Sequence, residues 1–567
     1  MTWRRPSLLL AGALVAGTVT ACGGGGSQGA ATPFDPNTCQ GGTLEILNQA
    51  DAGSHLDPAR LYTSGGGNIP SLLFRTLTTR TRKAGADGAK VAPDLATDTG
   101  EPNADATVWT YHLRDGLKFE DGTPITSADV KYGIERGFAP ELPGGAPYLH
   151  DWLVGAQNYQ GPYKDPNGIA AIETPDAKTI VFHLNSPHGD FPYLATATQF
   201  APVPKAKDTG ADYEKHPISS GPYKIESYDK GKSMALVRNT NWSRGVDPNR
   251  LACPDRIEAT YGLDPAVINQ RMSTGTGNDA NAVTTDTDLG PSELAQLDSN
   301  PELAKRVAKG GFPYTYYLAF DNTKAPFNDI KVRQALSYAV DRTSTVNAAG
   351  GSSLAYPATT FLPNNKTMGY QAFDYFPAGT GGDPAKAKQL LAEAGFPNGL
   401  TITLAHRSDD SEQDGPKVAT AVQDALQKAG ITVKLQSIDH DSYPTTLGNP
   451  ATQPQVAVEE WGADWPSGGP FLVPIFDGRQ YLAGGGNFNT AHFDDKAVNA
   501  KIDEINKITD PDQAAQQWGQ LDAEIMKQAP VVPLFHTTNL RLYGKNVKNA
   551  FVSDWTGVYD LSQVSVK

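Results

Sequence analysis

Reactive side chains are plentiful in this chain, but their spacing does not suit catalysis. Its 10 histidines are scattered. None has the H-E-x-x-H spacing that sets two imidazoles on one helix face for zinc. Outside the glycine tract that begins at Gly23, no G-x-S-x-G nucleophile elbow occurs. Lys230-Gly231-Lys232-Ser233 has the ending of a phosphate loop. Glu226 stands where the first glycine is required, so the backbone cradle for phosphate is missing. With 62 acidic residues in 567, carboxylate pairs arise by chance, and a pair alone carries no acid–base reading. No enzymatic activity, cofactor or metal is expected.

The cysteines are more informative. Cys22 ends the apolar run Leu8–Ala21, follows Arg4 and Arg5, and precedes Gly23 to Gly26. A basic start, a short apolar stretch and small residues before a cleavage point describe an export signal over residues 1–21. Val19-Thr20-Ala21-Cys22 matches a bacterial lipobox, whose cysteine becomes the lipidated first residue of the mature chain. The run is too short for a spanning helix of about 20 apolar residues. The expected product is an extracytoplasmic protein, lipid-anchored to the outer face of the cell membrane. Residues 22–39 then act as a flexible linker reaching roughly 20 Å. Cys39 and Cys253 remain in an oxidising compartment and are expected to pair as a disulfide.

Net charge is -14, and loss of Arg4 and Arg5 with the signal makes it more negative. That balance argues against nucleic acid and against anionic lipid surfaces as partners. At 567 residues the chain exceeds one hydrophobic core, so two or more lobes are expected. Its 57 glycines and 42 prolines are spread along the length and read as turns rather than as one disordered tract.

Several elements can be placed. Val108–Leu113 reads as a strand, and Ser127 as the cap of a helix from Ala128. Residues 328–342 read as a helix with Val332, Leu336, Ala339 and Val340 on one face. Asp383-Pro384 starts another, with Ala387, Leu390, Leu391 and Ala394 as its stripe and Gly395 at its end. Leu400–Leu404, Pro416–Ala429 and Ile431–Leu435 form a strand–helix–strand unit, so the two strands should be parallel. Each cysteine of the expected pair precedes a strand-like run, Gly42–Leu47 and Arg256–Tyr261. Neighbouring strands of one sheet would bring them together.

Taken in order, several blocks resemble the extracellular solute-binding proteins of family 5, the dipeptide and oligopeptide binders of ABC importers. They are Leu73–Thr78, Pro93–Arg136, Ser219–Asn239, Tyr317–Arg342, Asp383–Gly395, Trp461–Trp465 and Ala529–Leu534. The resemblance covers about residue 42 to the C-terminus. It implies an α/β, two-lobed, periplasmic-binding-protein-like fold (class II, cluster C) with a hinge and an extra subdomain in the first lobe. Lobe I is expected over 40–310 with an inserted subdomain at about 70–200, lobe II over 311–535, and 536–567 as a return to lobe I. The crossings fall near Pro313-Tyr314-Thr315 and Leu534-Phe535-His536. The implied protein is a monomer that binds a peptide and delivers it to ABC permease subunits with cytoplasmic ATPases. The same fold also serves other cargo: glycans, haem, nickel complexes or opine-like molecules. A surface receptor for peptide signals is a further alternative.

A peptide brings an ammonium, a carboxylate and backbone groups that must all be matched when water leaves. By the resemblance, Asp464 in Trp461-Gly462-Ala463-Asp464-Trp465 takes the ammonium. Pro466-Ser467-Gly468-Gly469 departs from the acid-proline that often follows. Arg407, just past Leu400–Leu404, stands where dipeptide binders place an arginine for the carboxylate, and guanidinium suits that grip. Asp409 and Asp410 could instead occupy it in an internal ion pair. Trp461 and Trp465 could line side-chain pockets or belong to the core. His55, in the turn Asp51–Pro58, is either a ligand contact or a surface histidine.

Overall fold

The computed structural model describes residues 34–62, 69–409 and 415–567. The expected leader, Cys22 with its lipid, the glycine tract and Asp410 lie outside them.

The strand–helix–strand unit forms as the periodicity requires. Leu400–Arg407 and Ile431–Ile438 run parallel, Leu400 opposite Ile431, with Pro416–Lys428 between them in sequence. The first strand continues three residues beyond the expected Leu404, so Arg407 is its last residue rather than a loop residue. This pair is one edge of a six-stranded sheet ordered Ala355–Pro357, Val532–Leu542, Val307–Phe320, Val456–Gly462, Leu400–Arg407, Ile431–Ile438. Its core holds Val332, Leu336, Leu390, Leu391, Val422 and Leu426, the apolar faces of the flanking helices. Asp383 caps Pro384–Glu393 by accepting the Lys386 N–H at 2.9 Å.

Two helical expectations need correction. The helix expected over 328–342 forms as Ile330–Ala339, and a second helix, Arg342–Ala348, follows it. The break falls at Val340–Asp341 because the Asp341 carboxylate accepts the Ser344 N–H at 2.9 Å and starts a new helix. Ser127 is the first residue of its helix, not the cap. Thr126 holds that position, and its backbone N–H and hydroxyl both bond Asp129 three residues on, at 2.8 and 2.7 Å.

A second sheet is five-stranded, ordered Ala282–Val283, Thr43–Leu47, Arg256–Thr260, Ser233–Arg238, Tyr223–Asp229. Thr43–Leu47 and Arg256–Thr260 are parallel neighbours. Just before them Cys39 and Cys253 are joined by a disulfide. Tyr559, Leu561 and Val564 of the C-terminal segment pack into the core of this sheet with Leu44 and Ile46. A four-stranded sheet, Glu101–Pro102, Val108–His112, Thr179–His183 and Ile172–Glu173, is built on Trp109, Tyr111, Phe182 and Phe191. A short hairpin, Thr78–Arg80 with Val91–Pro93, completes the set among the described residues.

Among the described residues Val307–Phe320 is the longest strand. It pairs antiparallel with Val532–Leu542 over most of its length, and the register shifts between Phe312 and Thr315. Gly310 is required by close packing, since a Cβ there would lie 2.3 Å from Val552 Cγ1.

Candidate binding site

Strand Val456–Gly462 ends in Trp461 and Gly462, and the loop that follows carries Ala463, Asp464 and Trp465. Tyr62 donates its hydroxyl to Asp464 Oδ2 at 2.9 Å, and Tyr148 donates to the same oxygen. These partners are 402 and 316 positions away in sequence. Burial pushes the Asp464 carboxyl above its ordinary value, against the pull of the two phenols. Partial desolvation and the neighbouring Asp464 carboxyl raise both tyrosines, of which Tyr62 is 47% exposed, so they remain protonated donors.

Trp465 points to the other side of the loop. Only 4% exposed, it joins the core built on Trp109 and Phe191. Its indole N–H donates to Asp190 Oδ2 at 2.7 Å. The Tyr148 ring meets it edge-on at 4.7 Å and the Trp152 ring at 5.7 Å. Asp190 is pushed up to about 6 by burial, opposed by the indole bond. His188, stacked 3.5 Å from Trp152, is pushed down to about 3 by burial and is neutral.

Asp464 sits between two cavities that share Tyr62, Tyr314, Ala463 and Asp464 itself. The larger, about 720 Å³, is lined by Arg407, Tyr443, Glu459, Glu460, Trp461 and Phe488, among others. Here Arg407 is engaged by the protein. Its Nη1 donates to the His440 carbonyl at 3.2 Å, its Nη2 lies 3.9 Å from Glu460, and its plane covers the Tyr443 ring at 5.1 Å. Trp461 lines this cavity while donating its indole N–H to the Pro470 carbonyl at 3.0 Å and packing on Phe488. The smaller cavity, about 180 Å³, is lined by Tyr148, Trp465, Gln199, Thr79 and Arg80, among others.

The structure therefore brings Asp464, Trp461, Trp465 and Arg407 to two adjoining cavities. His55 lines neither. Its Nδ1 is 2.6 Å from Glu214, and Arg60 bonds both residues, which places it in a polar cluster elsewhere in the fold. Tyr62, Tyr148 and Asp190 were not anticipated, because single tyrosines and acids far apart in sequence have no spacing to mark them. Among the described residues no cluster of histidine, cysteine or acidic side chains could hold a metal ion, and no helix is long and apolar enough to cross a membrane. Chemically, the centre of the site is a half-buried carboxylate steadied by two phenols. It is suited to a cation that donates hydrogen bonds.

Residues 90–482 match the family described as bacterial extracellular solute-binding proteins, family 5. The chain belongs to that family. The fold of this family 5 protein is the α/β fold of periplasmic solute-binding proteins. It matches the solved structure of clavulanic acid biosynthesis oligopeptide binding protein 2 with a TM-score of 0.86 and 35% identity, over 93% of this chain and 95% of that one. In sequence it is 26% identical to the glutathione-binding protein GsiB of Salmonella typhi, over 80% of this chain and 82% of that one. It is 27% identical to the periplasmic oligopeptide-binding protein OppA of Escherichia coli strain K12, over 91% and 89% of the two chains. These relatives are binding proteins by name, and none carries a catalytic one.

Proposed function

We propose that this family 5 protein captures short peptides between two lobes and delivers them to the permease of an ABC importer, without chemical change to the cargo. The observation that carries this reading is Asp464. It belongs to the 311–535 stretch of the chain, yet its hydrogen-bond partners, Tyr62 and Tyr148, belong to the 40–310 stretch. A peptide ammonium at that carboxylate touches both stretches at once, and only a ligand with contacts on both sides can shift an open–closed equilibrium. Relatives named for oligopeptide and glutathione binding support a peptide cargo.

In this reading lobe I is 40–310 together with the C-terminal segment, and lobe II is 311–535. The hinge lies where the two long strands pass side by side near Pro313–Thr315 and Leu534–His536. The register shift there supports a flexing point. Trp461 and Trp465 line side-chain space on either side of Asp464. Lipid on Cys22 holds the protein at the outer face of the membrane, and the closed monomer docks on the permease, whose ATPases are cytoplasmic.

The test is calorimetry with peptide pools bearing free or acetylated amino termini. D464A is expected to weaken binding of free-amine peptides by about 30-fold or more, the usual cost of breaking an enclosed charge pair, and to leave acetylated ones unchanged. Equal loss for both pools would remove the ammonium role.

A further inference from the structure

Three arginines, Arg80, Arg82 and Arg250, line the smaller cavity that reaches Asp464. Two of them are neutralised by the protein. Arg82 grips Asp560 at 3.1 and 3.2 Å. Arg250 bonds Asp94 at 2.8 Å and Asp247 at 3.0 Å. Arg80 is different. Among the described residues no hydrogen bond or ion pair reaches its guanidinium, although burial and the neighbouring Arg82 lower its pKa to about 10, with Asp560 opposing. Arg80 is half-buried, and its guanidinium nitrogens are not sealed from the cavity, so its donors are open to a ligand. An arginine carries five donors in a planar fork shaped for a carboxylate.

Its support is rigid. Arg80 ends the strand Thr78–Arg80 and pairs with Val91 across the hairpin. Directly after that hairpin, Asp94 is clamped by Arg75 and Arg250. A cavity with a half-buried carboxylate in one wall and a guanidinium free of protein hydrogen bonds in another suits a molecule with a positive and a negative end.

We propose that Arg80 holds a ligand carboxylate, so that the cargo lies as a zwitterion between Asp464 and Arg80 while Arg407 stays with Glu460 and the His440 carbonyl. This rests on the peptide reading above and assigns the peptide's second charge.

The experiment incubates the full mature protein with pools of random di- to pentapeptides and identifies captured species by native mass spectrometry. One pool has free carboxylates, a second is C-terminally amidated without acidic residues, and a third is amidated with one Asp or Glu. Wild type is expected to favour carboxylate-bearing peptides over the neutral amides by about 30-fold or more. Capture from the first pool alone assigns a terminal carboxylate, and capture from the third as well assigns a side chain; both support the proposal. R80Q should erase the preference while melting close to wild type without ligand, because among the described residues Arg80 makes no hydrogen bond or ion pair that the change would break. A merely structural arginine would lower the melting point. Retention of the preference in R80Q, its loss in R407Q instead, or its absence in wild type overturns the proposal while leaving peptide capture standing. Failure of wild type to capture any peptide overturns both.

Discussion

Asp464 is held under opposing influences, and their balance sets how the site responds to acid. Burial favours the neutral carboxyl, while the two tyrosine hydroxyls favour the ion. A bound ammonium favours the ion further, so peptide binding should release a proton where the free site is partly protonated. Affinity for free-amine peptides is therefore expected to fall as pH drops from 7 toward the ordinary 3.8, and acetylated peptides should show no such slope in a titration series. Elsewhere, Asp94 illustrates a charge with a structural task. It bonds Arg75 at 2.8 Å and Arg250 at 2.8 Å, with all three side chains fully enclosed. D94A leaves two enclosed cations short of an anion and should cost about 3–5 kcal/mol in chemical denaturation.

At the scale of elements, the loop after Val456–Gly462 faces two ways, and its second contact has its own pH signature. Asp190 titrates near 6 in this fold, above its ordinary 3.8. Its raised pKa contributes stability that is complete below 3.8 and lost as pH rises through about 6. D190N, which can still accept the Trp465 indole bond, should melt higher than wild type at pH 8, with the gap closing toward pH 4 in thermal scans. Elements of this kind differ in how readable they are. Asp383 with Pro384 announces a helix start because cap and first turn are adjacent in sequence. The parallel pair around Pro416–Lys428 follows from apolar periodicity over neighbouring residues. Asp341 was less visible: it lies one residue past the apolar stripe that ends at Val340, and its bond to the Ser344 N–H starts the next helix. The site is harder again. Asp464 is conspicuous in its tryptophan-flanked block, whereas Tyr62 and Tyr148 meet it only because the chain folds back over hundreds of residues. Arg80 reads as an ordinary strand charge until its surroundings are seen.

At the scale of the whole molecule, ligand capture should be visible as a change of shape. X-ray scattering is expected to give a smaller radius of gyration with a bound peptide than without, and D464A should show no change at the same peptide concentration. The junction between Cys39 and Cys253 offers a separate measurement. It closes a loop of 214 residues, and its removal in C39S/C253S should cost about 2–5 kcal/mol. That bond also decides how the body bears tension. The strand Thr43–Leu47 begins just after Cys39 and is held to its neighbour by a ladder of backbone bonds that could rupture in succession. A pull applied at Pro36 also enters the fold through sulfur, so the first strand cannot part from its neighbour at that end while the bond is intact. In an optical trap the oxidised protein should resist unzipping from that end, and a reductant should let the first strand peel away at low force.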